Sequence, residues 1–246
     1  MIKQQNDIKI AIAIQARLGS TRCPNKAIEK LSPTGTSAIT SLIHNCTFCQ
    51  SHVKAKKLDK TKVDIDIWVL VPDNEIEFWN EFLAHKNVSI MAGHPTNVLS
   101  RYIDLSQYNY DYIMRLTGDC PNVPAIAMNK AIYTAIFHNL DYCSNVWKEF
   151  RTCPDGHDIE IMSAKAMNWL ATNATTKEHF EHVTIAIRTL NSKVLKRCCL
   201  INKEDLSHIK LCIDTPEELE AARSRFTSAY RKKKLANEMG LFTNDY

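Results

Sequence analysis

Glycine is scarce in this sequence, with 6 among 246 residues. The spacings that mark the two best-known glycine-rich nucleotide loops are also missing: neither G-x-x-x-x-G-K nor G-x-G-x-x-G follows the first apolar segment. No apolar run approaches the roughly 18 residues that a membrane span needs, and the first ten residues hold no apolar signal core. We therefore expect no P-loop, no dinucleotide-binding loop and no membrane partner.

A strong excess of charge is missing as well. The chain has 31 Lys and Arg against 27 Asp and Glu, which gives a formal net charge of +4. That balance is too mild, and too evenly spread, for nucleic acid to be the main partner. Nine cysteines, an odd number, without an export signal indicate reduced thiols, so we expect a cytoplasmic protein.

A zinc site is not expected from the one C-x-x-C pair, Cys46 and Cys49, although His44 and His52 flank it. The segment is predicted to be helical and no second pair follows. On a straight helix the two histidines span too many turns for one compact tetrahedral site.

What the chain does contain is an alternation of strand and helix patterns. Short apolar runs predict strands at 8–14, 62–71, 88–93, 111–119, 141–147, 157–163 and 209–214. Helical spacing predicts helices at 36–50, 74–86 with Asn74 as cap, 97–108, 123–139 and 164–174, and a last one opened by Thr215 and Pro216. This order indicates an α/β fold with a mainly parallel sheet covered on both faces.

Charged residues follow three of the predicted strands. Arg17, Arg22 and Lys26 surround Gly19 in the loop QARLGSTRCPNK, while Asp119 and Asp214 come after later strands. Ligands of such sheets bind beyond the carboxyl ends of the strands, so we expect these groups to converge on one crevice. Free backbone N–H groups with arginine and lysine side chains suit a polyphosphate; the alternative is a surface loop with scattered basic residues.

The motifs carry a resemblance that extends along nearly the whole chain. They are, in order, QARLGSTRCPNK (15–26), NVLSRY (97–102), RLTGDCP (115–121), DYCSN (141–145), PDGHDIE (154–160), EHFEHVT (178–184) and IDTPEELE (213–220). This set resembles the cytidylyltransferases that activate acidic sugars. The closest branch is the spore-coat polysaccharide cytidylyltransferases, related to the acylneuraminate and 3-deoxy-manno-octulosonate enzymes. Two departures stand out: Asn25 replaces a usual glycine, and an arginine usual near 178–184 is missing.

The resemblance implies a Rossmann-like nucleotide-diphospho-sugar transferase fold, a three-layer α/β/α sandwich. It implies a single nucleotidyltransferase domain over 1–230, with a small insertion near 142–190 for acceptor binding or dimerisation. Residues 231–246 are expected to form a polar C-terminal tail, and relatives suggest a homodimer. Asn tolerates left-handed backbone better than most residues, so the turn at Asn25 can survive.

The reaction implied is attack by an oxygen nucleophile on the α-phosphorus of CTP, with pyrophosphate leaving, to form a CMP-activated sugar for surface glycan or polysaccharide biosynthesis. Arg17, Lys26, Asp119 and Asp214 would be catalytic, and the two aspartates would bind Mg²⁺, which prefers oxygen ligands. The implied nucleotide-binding residues are Ala16, Arg17, Gly19, Ser20, Arg22, Lys26, Asn97, Arg101 and Thr117.

Acceptor contacts are expected from Asp155, Asp158, Glu160, His179 and His182. If 157–163 is a strand, Asp158 and Glu160 share a face, and the two histidines share a helical face. The acceptor is expected to be a small molecule such as a sugar acid. The alternatives left open are a phosphonate or polyol phosphate acceptor, another nucleotide, and a nucleotide-binding regulator without turnover.

Overall fold

The computed structural model describes residues 7–55 and 61–238, and side chains as far as residue 229. Seven strands form one sheet: β1 (Ile8–Gln15), β2 (Val63–Pro72), β3 (Ser89–Gly93), β4 (Tyr112–Thr117), β5 (Tyr142–Ser144), β6 (Glu160–Ser163) and β7 (Arg197–Cys199). The α-helices are α1 (Ala38–Ala55), α2 (Ile76–Phe82), α3 (Val98–Ser106), α4 (Ala125–Phe137), α5 (Ala164–Asn173), α6 (Lys177–His182), α7 (Ile185–Thr189) and α8 (Pro216–Glu238). The helix α8 runs through residue 230, where we expected a tail to begin; residues 239–246 of that tail lie outside the described part.

The strand order is β3-β2-β1-β4-β6-β5-β7. All neighbouring strands are parallel except at β6, which is antiparallel to both β4 and β5. The chain therefore fills one side of β1 with β2 and β3, then crosses to the other side to form β4. This reversal is the switch point at which open α/β sheets leave a crevice for ligands.

Helices cover both faces of the sheet, as the α/β/α prediction requires. In β1, Ile10, Ile12 and Ile14 point into the core shared with α1 and α4, whereas Ala11 and Ala13 face α3 and α5. All five side chains have no exposed surface, because a central parallel strand is buried on both faces. Within the described ranges, no helix has both the length and the apolar character that crossing a bilayer requires.

Two local predictions are wrong. Residues 209–214 form a single bridge, between Asp155 and Lys210, rather than a strand, because Leu211 N and Cys212 N both donate to the Asp155 carbonyl at 2.6 and 3.2 Å. Asn74 does not cap α2; it lies in a 3₁₀ turn over Asp73–Glu75, with its own N–H donating to Asp73 Oδ1. The helical face expected for His179 and His182 corresponds to α6, whereas sequence patterns did not indicate α7 or β7, which span 5 and 3 residues.

Candidate active site

A cavity opens at the carboxyl ends of β1 and β4, at the switch point of the sheet. Four segments line it, which are the end of β1 with its following loop, the start of α3, the end of β4, and the end of α6. The lining residues are Gln15, Ala16, Arg17, Lys26, Ala27, Val98, Arg101, Thr117, Gly118, Asp119, Glu181 and His182. Five of the residues predicted for the nucleotide, together with Asp119 and His182, are thus brought together here.

The loop after β1 is held by its own backbone and by one glutamate. Asn25 N donates to Leu18 O at 3.0 Å, and Leu18 N donates to the Glu75 carboxylate at 2.9 Å. Asn25 has φ +59°, the left-handed conformation that asparagine adopts more readily than most residues. This turn brings Lys26 back toward the sheet, as the loop motif requires.

The two glycines near the cavity serve different purposes. A Cβ on Gly118 would lie 3.2 Å from both Ala16 Cβ and Gln15 O, so this glycine lets the loop after β4 approach β1 closely. A Cβ on Gly19 would meet nothing within 4 Å. Gly19 therefore borders open space beside Arg17 and Ser20.

Lys26 joins the two aspartates. Its Nζ lies 2.6 Å from Asp119 Oδ2 and 2.9 Å from Asp214 Oδ1, and its side chain is only 14% exposed. The approach of Asp214 does not depend on a strand: Ile213 N donates to Asp119 O at 3.0 Å, which fixes the two loops together. Three groups distant in sequence thus meet at one point.

Further charges surround this triad. Burial lowers the pKa of Lys26, but the Asp119 carboxylate and the hydrogen bonds to both aspartates outweigh it, and the net pKa is raised. Burial acts to raise the pKa of Asp214, but Lys26, Arg22 and Lys210 shift it below its ordinary value. Arg22 lies 3.2 Å and Lys210 3.4 Å from Asp214. Lys26 is therefore a cation, and Asp214 an anion, at neutral pH.

The pair Asp119 and Asp214 fits a divalent cation. Both carboxylates already converge on one cationic nitrogen, and Mg²⁺ often takes only one or two carboxylates, with waters and phosphate oxygens completing its shell. In residues 7–55 and 61–238, no three His, Cys, Asp or Glu side chains lie close enough to hold a metal by themselves. The donor set suits an ion that shares its ligands with a phosphate substrate.

Three of the residues predicted for the nucleotide have internal partners. Asn97 caps α3, with its Oδ1 accepting from Ser100 N at 3.1 Å. Arg101 lines the cavity but is 2% exposed, and it donates to the carbonyls of His94, Pro95 and Leu70. Thr117 Oγ1 lies 3.1 Å from Cys120 Sγ. Asn97 and Arg101 thus order the loop before α3, whatever ligand contact they also make.

The acidic group predicted for the acceptor divides in two. Asp155 and Asp158 both pair with Arg151, at 3.5 and 2.5 Å, and burial raises the pKa of Asp158. Cys212 Sγ lies between Asp155 and Asp214, at 3.5 and 3.6 Å from their carboxylates. Asp155 therefore borders the triad of Lys26, Asp119 and Asp214, and Asp158 is linked to Asp155 through Arg151.

Glu160 does not reach the cavity, which corrects the expectation that it contacts the acceptor. Its side chain is 1% exposed and pairs with Arg115. It also accepts hydrogen bonds from the hydroxyls of Tyr142 and Thr184. Since β6 begins only at Glu160, Asp158 is outside the strand and the two carboxylates do not share a strand face.

The two predicted histidines also separate. His179 is buried, and its Nδ1 accepts from Thr175 N and Thr176 N within the capping box of α6, so the structure assigns it to the helix start rather than to the cavity. His182 and its neighbour Glu181 do line the cavity. The next residue, Val183, has φ +55° and ψ −68°, and Thr184 N donates to His182 O at 2.6 Å across it. This is a γ-turn of the strained kind, which is rare for a β-branched residue.

Sequence patterns missed Gln15 and Glu181 as cavity residues, Arg115 as the residue that holds Gln15, and Glu75 as a support of the loop after β1. Gln15 stood in the loop motif, directly before Ala16, and Glu181 stood in the EHFEHVT segment. Each could have been found from its position, because Gln15 directly precedes Ala16 and Glu181 directly precedes His182, which were both predicted site residues. The contacts that single them out connect elements far apart in the chain.

Two curated proteins are similar to this chain over most of its length. The uncharacterised protein MJ1063 of Methanocaldococcus jannaschii is 30% identical over 216 residues, which cover 87% of this chain and 81% of that protein. The spore coat polysaccharide biosynthesis protein SpsF of Bacillus subtilis is 27% identical over 229 residues, 89% of this chain and 87% of SpsF. No family model matches the chain.

Solved structures with the same architecture carry the comparison further. A cytidylyltransferase from Leptospira borgpetersenii serovar Hardjo-bovis aligns with a TM-score of 0.74 at 25% identity, over 97% of this chain and 98% of that one. The synthetase of CMP-2-keto-3-deoxy-manno-octonic acid, solved with CTP, shares the fold at a TM-score of 0.61 and 14% identity, over 91% and 99% of the two chains. Its likeness to the solved cytidylyltransferase over nearly the whole chain, together with its sequence similarity to MJ1063 and SpsF over most of it, places this chain in the cytidylyltransferase family.

Proposed function

We propose that this protein transfers the cytidylyl group of CTP to an oxygen nucleophile of a sugar-type acceptor and releases pyrophosphate. One observation carries the proposal: a lysine ammonium joined to two carboxylates at the β1–β4 switch point, beside a basic loop. The names of the relatives support the donor, since one neighbour is a cytidylyltransferase and another was solved with CTP.

The basic loop would bind the triphosphate. A nucleoside triphosphate carries about four negative charges, so several cations must face it. Arg17 and Lys26 line the cavity, and Arg22, with 65% of its side chain exposed, lies 3.2 Å from Asp214. Gly19 and Ser20 would contribute backbone N–H groups, whereas the N–H of Ala16 already donates to Leu70 O at 3.0 Å. The open space beside Gly19 leaves room for phosphate oxygens.

Lys26 changes its role when the nucleotide binds, in this proposal. In the structure it neutralises Asp119 and Asp214; with nucleotide present it would donate to a phosphate oxygen and leave the carboxylates to a divalent cation. Bound Mg²⁺ would supply neutralisation of the negative charge that grows on the α-phosphate oxygens and the leaving group. The chain would thus act mainly by positioning and by charge.

The acceptor would contact Glu181 and His182, which line the cavity, and Asp155 and Asp158, which lie outside its lining. These groups bind hydroxyls and amines through carboxylate and imidazole atoms, and Asp155 adjoins the triad through Cys212. The name of SpsF supports a sugar destined for a surface polysaccharide, with a sugar acid as our first candidate.

The test is to incubate the protein with CTP, Mg²⁺ and a panel of sugar acids, phosphonates and polyol phosphates. We expect a CMP conjugate by mass spectrometry and equimolar pyrophosphate, and we expect CTP to serve better than ATP, GTP or UTP. Asp119→Asn and Asp214→Asn should lower turnover at least hundredfold. Asp104→Asn, on the exposed side of α3, is the matched control and should retain wild-type turnover.

Full turnover in folded Asp119→Asn and Asp214→Asn proteins would refute the assignment of these residues. Tight CTP binding without conjugate or pyrophosphate, across the whole panel, would favour a nucleotide-binding regulator instead. Product formed only with a phosphonate or a polyol phosphate would retain the reaction and replace the acceptor.

A further inference from the structure

Gln15 is the last residue of β1, and its side-chain oxygen accepts hydrogen bonds from residues of β4 and α3. Its Oε1 accepts from Arg115 Nε at 3.0 Å and from the Tyr102 hydroxyl at 3.4 Å. Gln15 also lines the cavity, opposite Thr117 in the register of β1 and β4. One end of the amide therefore faces the protein interior and the other end faces the ligand space.

The chemistry of arginine determines which end is which. A guanidinium group only donates hydrogen bonds, so the amide atom that faces Arg115 must be the oxygen. The NH₂ group then points away from Arg115. Among the described residues, the hydrogen bonds of this side chain all go to its oxygen, so its two N–H donors are available to a ligand in the cavity that Gln15 lines.

Arg115 is itself fixed by a buried carboxylate. It pairs with Glu160, whose other oxygen accepts from Tyr142 and Thr184. Burial acts against charge on both side chains, but their mutual attraction lowers the pKa of Glu160 and raises that of Arg115, so the pair is ionised. Residues from β4, β5 and β6 thus set the orientation of one amide on β1.

We infer that Gln15 is a nucleotide-contacting residue that presents its N–H donors to an uncharged acceptor atom of the nucleoside, and that Arg115 and Glu160 are its positioning residues. The inference rests on the proposed function. The nucleotide is the ligand because Gln15 directly precedes the basic loop and shares the cavity with Arg17 and Lys26. The nucleoside is the part contacted because cations already face the phosphates, whereas a neutral amide suits a base carbonyl, a ring nitrogen or a ribose oxygen.

Binding measurements by calorimetry test the contact directly, with CTP and pyrophosphate as separate ligands in Mg²⁺. Gln15→Met retains the length of the side chain and removes both donors. We expect its CTP affinity to fall about five- to tenfold, while its pyrophosphate affinity stays within twofold of wild type. Gln107→Met, at an exposed position after α3, should match wild type with both ligands.

Two results would overturn the inference. An unchanged CTP affinity in Gln15→Met would remove the contact while leaving the proposed function intact, provided that wild type binds CTP. An equal loss for pyrophosphate would show that the variant disturbs the phosphate loop rather than a nucleoside contact. Failure of the wild-type protein to bind CTP would remove the proposed function itself, and this inference with it.

A double-mutant cycle tests the positioning role. Glu160→Gln should weaken CTP binding in the wild-type background and have no further effect in the Gln15→Met background, because it acts through the amide. Equal losses in both backgrounds would show a general structural effect. If Glu160→Gln does not fold, Tyr102→Phe removes a hydroxyl that lies 3.4 Å from both Gln15 Oε1 and Ala13 O, and the same cycle applies with an expected effect of about twofold.

Discussion

The two walls of the cavity are built in different ways. The wall formed by β1, its loop and the end of β4 comes from short, contiguous segments, in which Ala16, Arg17 and Lys26 reach the cavity from one loop. The opposite wall, at the end of α6, depends on contacts between distant elements. Behind this wall, Glu160, which is buried and does not reach the cavity, joins β4, β5 and the residue that follows the turn at Val183. The charges of the first wall face the ligand directly, whereas the second wall depends on a buried ion pair that lies behind it.

Because of this difference, substitutions in one region should affect mainly ligand binding, and substitutions in the other should affect mainly folding stability. A charged residue that faces the cavity keeps part of its hydration, so its loss should weaken ligand binding more than folding. A buried ion pair has given up its hydration, and removing one partner leaves the other charge uncompensated. The same type of substitution should therefore have opposite consequences in the two walls.

The largest loss of stability is expected at the buried ion pair of Arg115 and Glu160. Glu160→Ala leaves Arg115 buried without its partner and should lower the free energy of unfolding by about 3–5 kcal/mol. Urea denaturation followed by circular dichroism measures it. Glu149→Ala, at an exposed position, is the matched control and should stay within about 0.5 kcal/mol of wild type. A Glu160→Ala protein as stable as that control would break the contrast.

Lys26→Met should show the reverse pattern. Removal of a charged donor to phosphate should weaken CTP binding about a hundredfold, with a smaller loss of stability than Glu160→Ala, since Asp119 and Asp214 remain partly hydrated. Calorimetry with CTP and Mg²⁺, alongside urea denaturation, measures both quantities. Lys130→Met, exposed on α4, is the control. Wild-type CTP affinity in Lys26→Met would contradict the role assigned to this lysine.

A smaller effect is expected from pH. Asp214 has a pKa below its ordinary value of 3.8, mainly through Lys26 once the opposing effect of burial is outweighed. The unfolded chain therefore binds a proton more readily, so this stability is present above pH 3.8 and is lost as pH falls through the lower, folded value. Between pH 5 and pH 3, wild type should lose more stability than Asp214→Asn. Parallel losses in the two proteins would show that Lys26 does not stabilise the aspartate.

The smallest effect concerns the turn at Asn25. Because its φ is +59°, Asn25→Ala should cost about 1 kcal/mol of stability, and Asn25→Gly should stay within about 0.5 kcal/mol of wild type. Thermal unfolding of the three proteins measures this. If alanine were tolerated as well as glycine, the left-handed turn would not be what holds Lys26 in place.

Sequence patterns predicted the part of the site that follows from the strands themselves. A β-branched run specifies β1, and the carboxyl ends of parallel strands share one edge, so Lys26 and Asp119 could be expected to meet. Asp214 also lies beside Lys26, but not because it ends a strand, as the sequence pattern predicted. No strand carries it; the backbone of Ile213 bonds to the Asp119 carbonyl instead.

The part that was not predictable depends on which partner a side chain finds. Spacing alone allowed Glu160 to face an acceptor and His179 to share a face with His182. In the fold, Arg115, Tyr142 and Thr184 surround the glutamate, and the backbone at Thr175 and Thr176 engages the histidine. These partners come from a tertiary arrangement that no window of the sequence contains, or, for His179, from a helix start of six residues.

The reversed direction of β6 has one more consequence. An antiparallel strand starts where its parallel neighbours end, so residues 145–159, which leave β5 and enter β6, lie at the same edge of the sheet as the cavity. Connections of this kind tolerate insertions and deletions, because the entropic cost of closing a loop rises only slowly with its length. In related chains, changes in the length and sequence of this connection could therefore alter which acceptor is bound, while the strands beside the nucleotide keep their register.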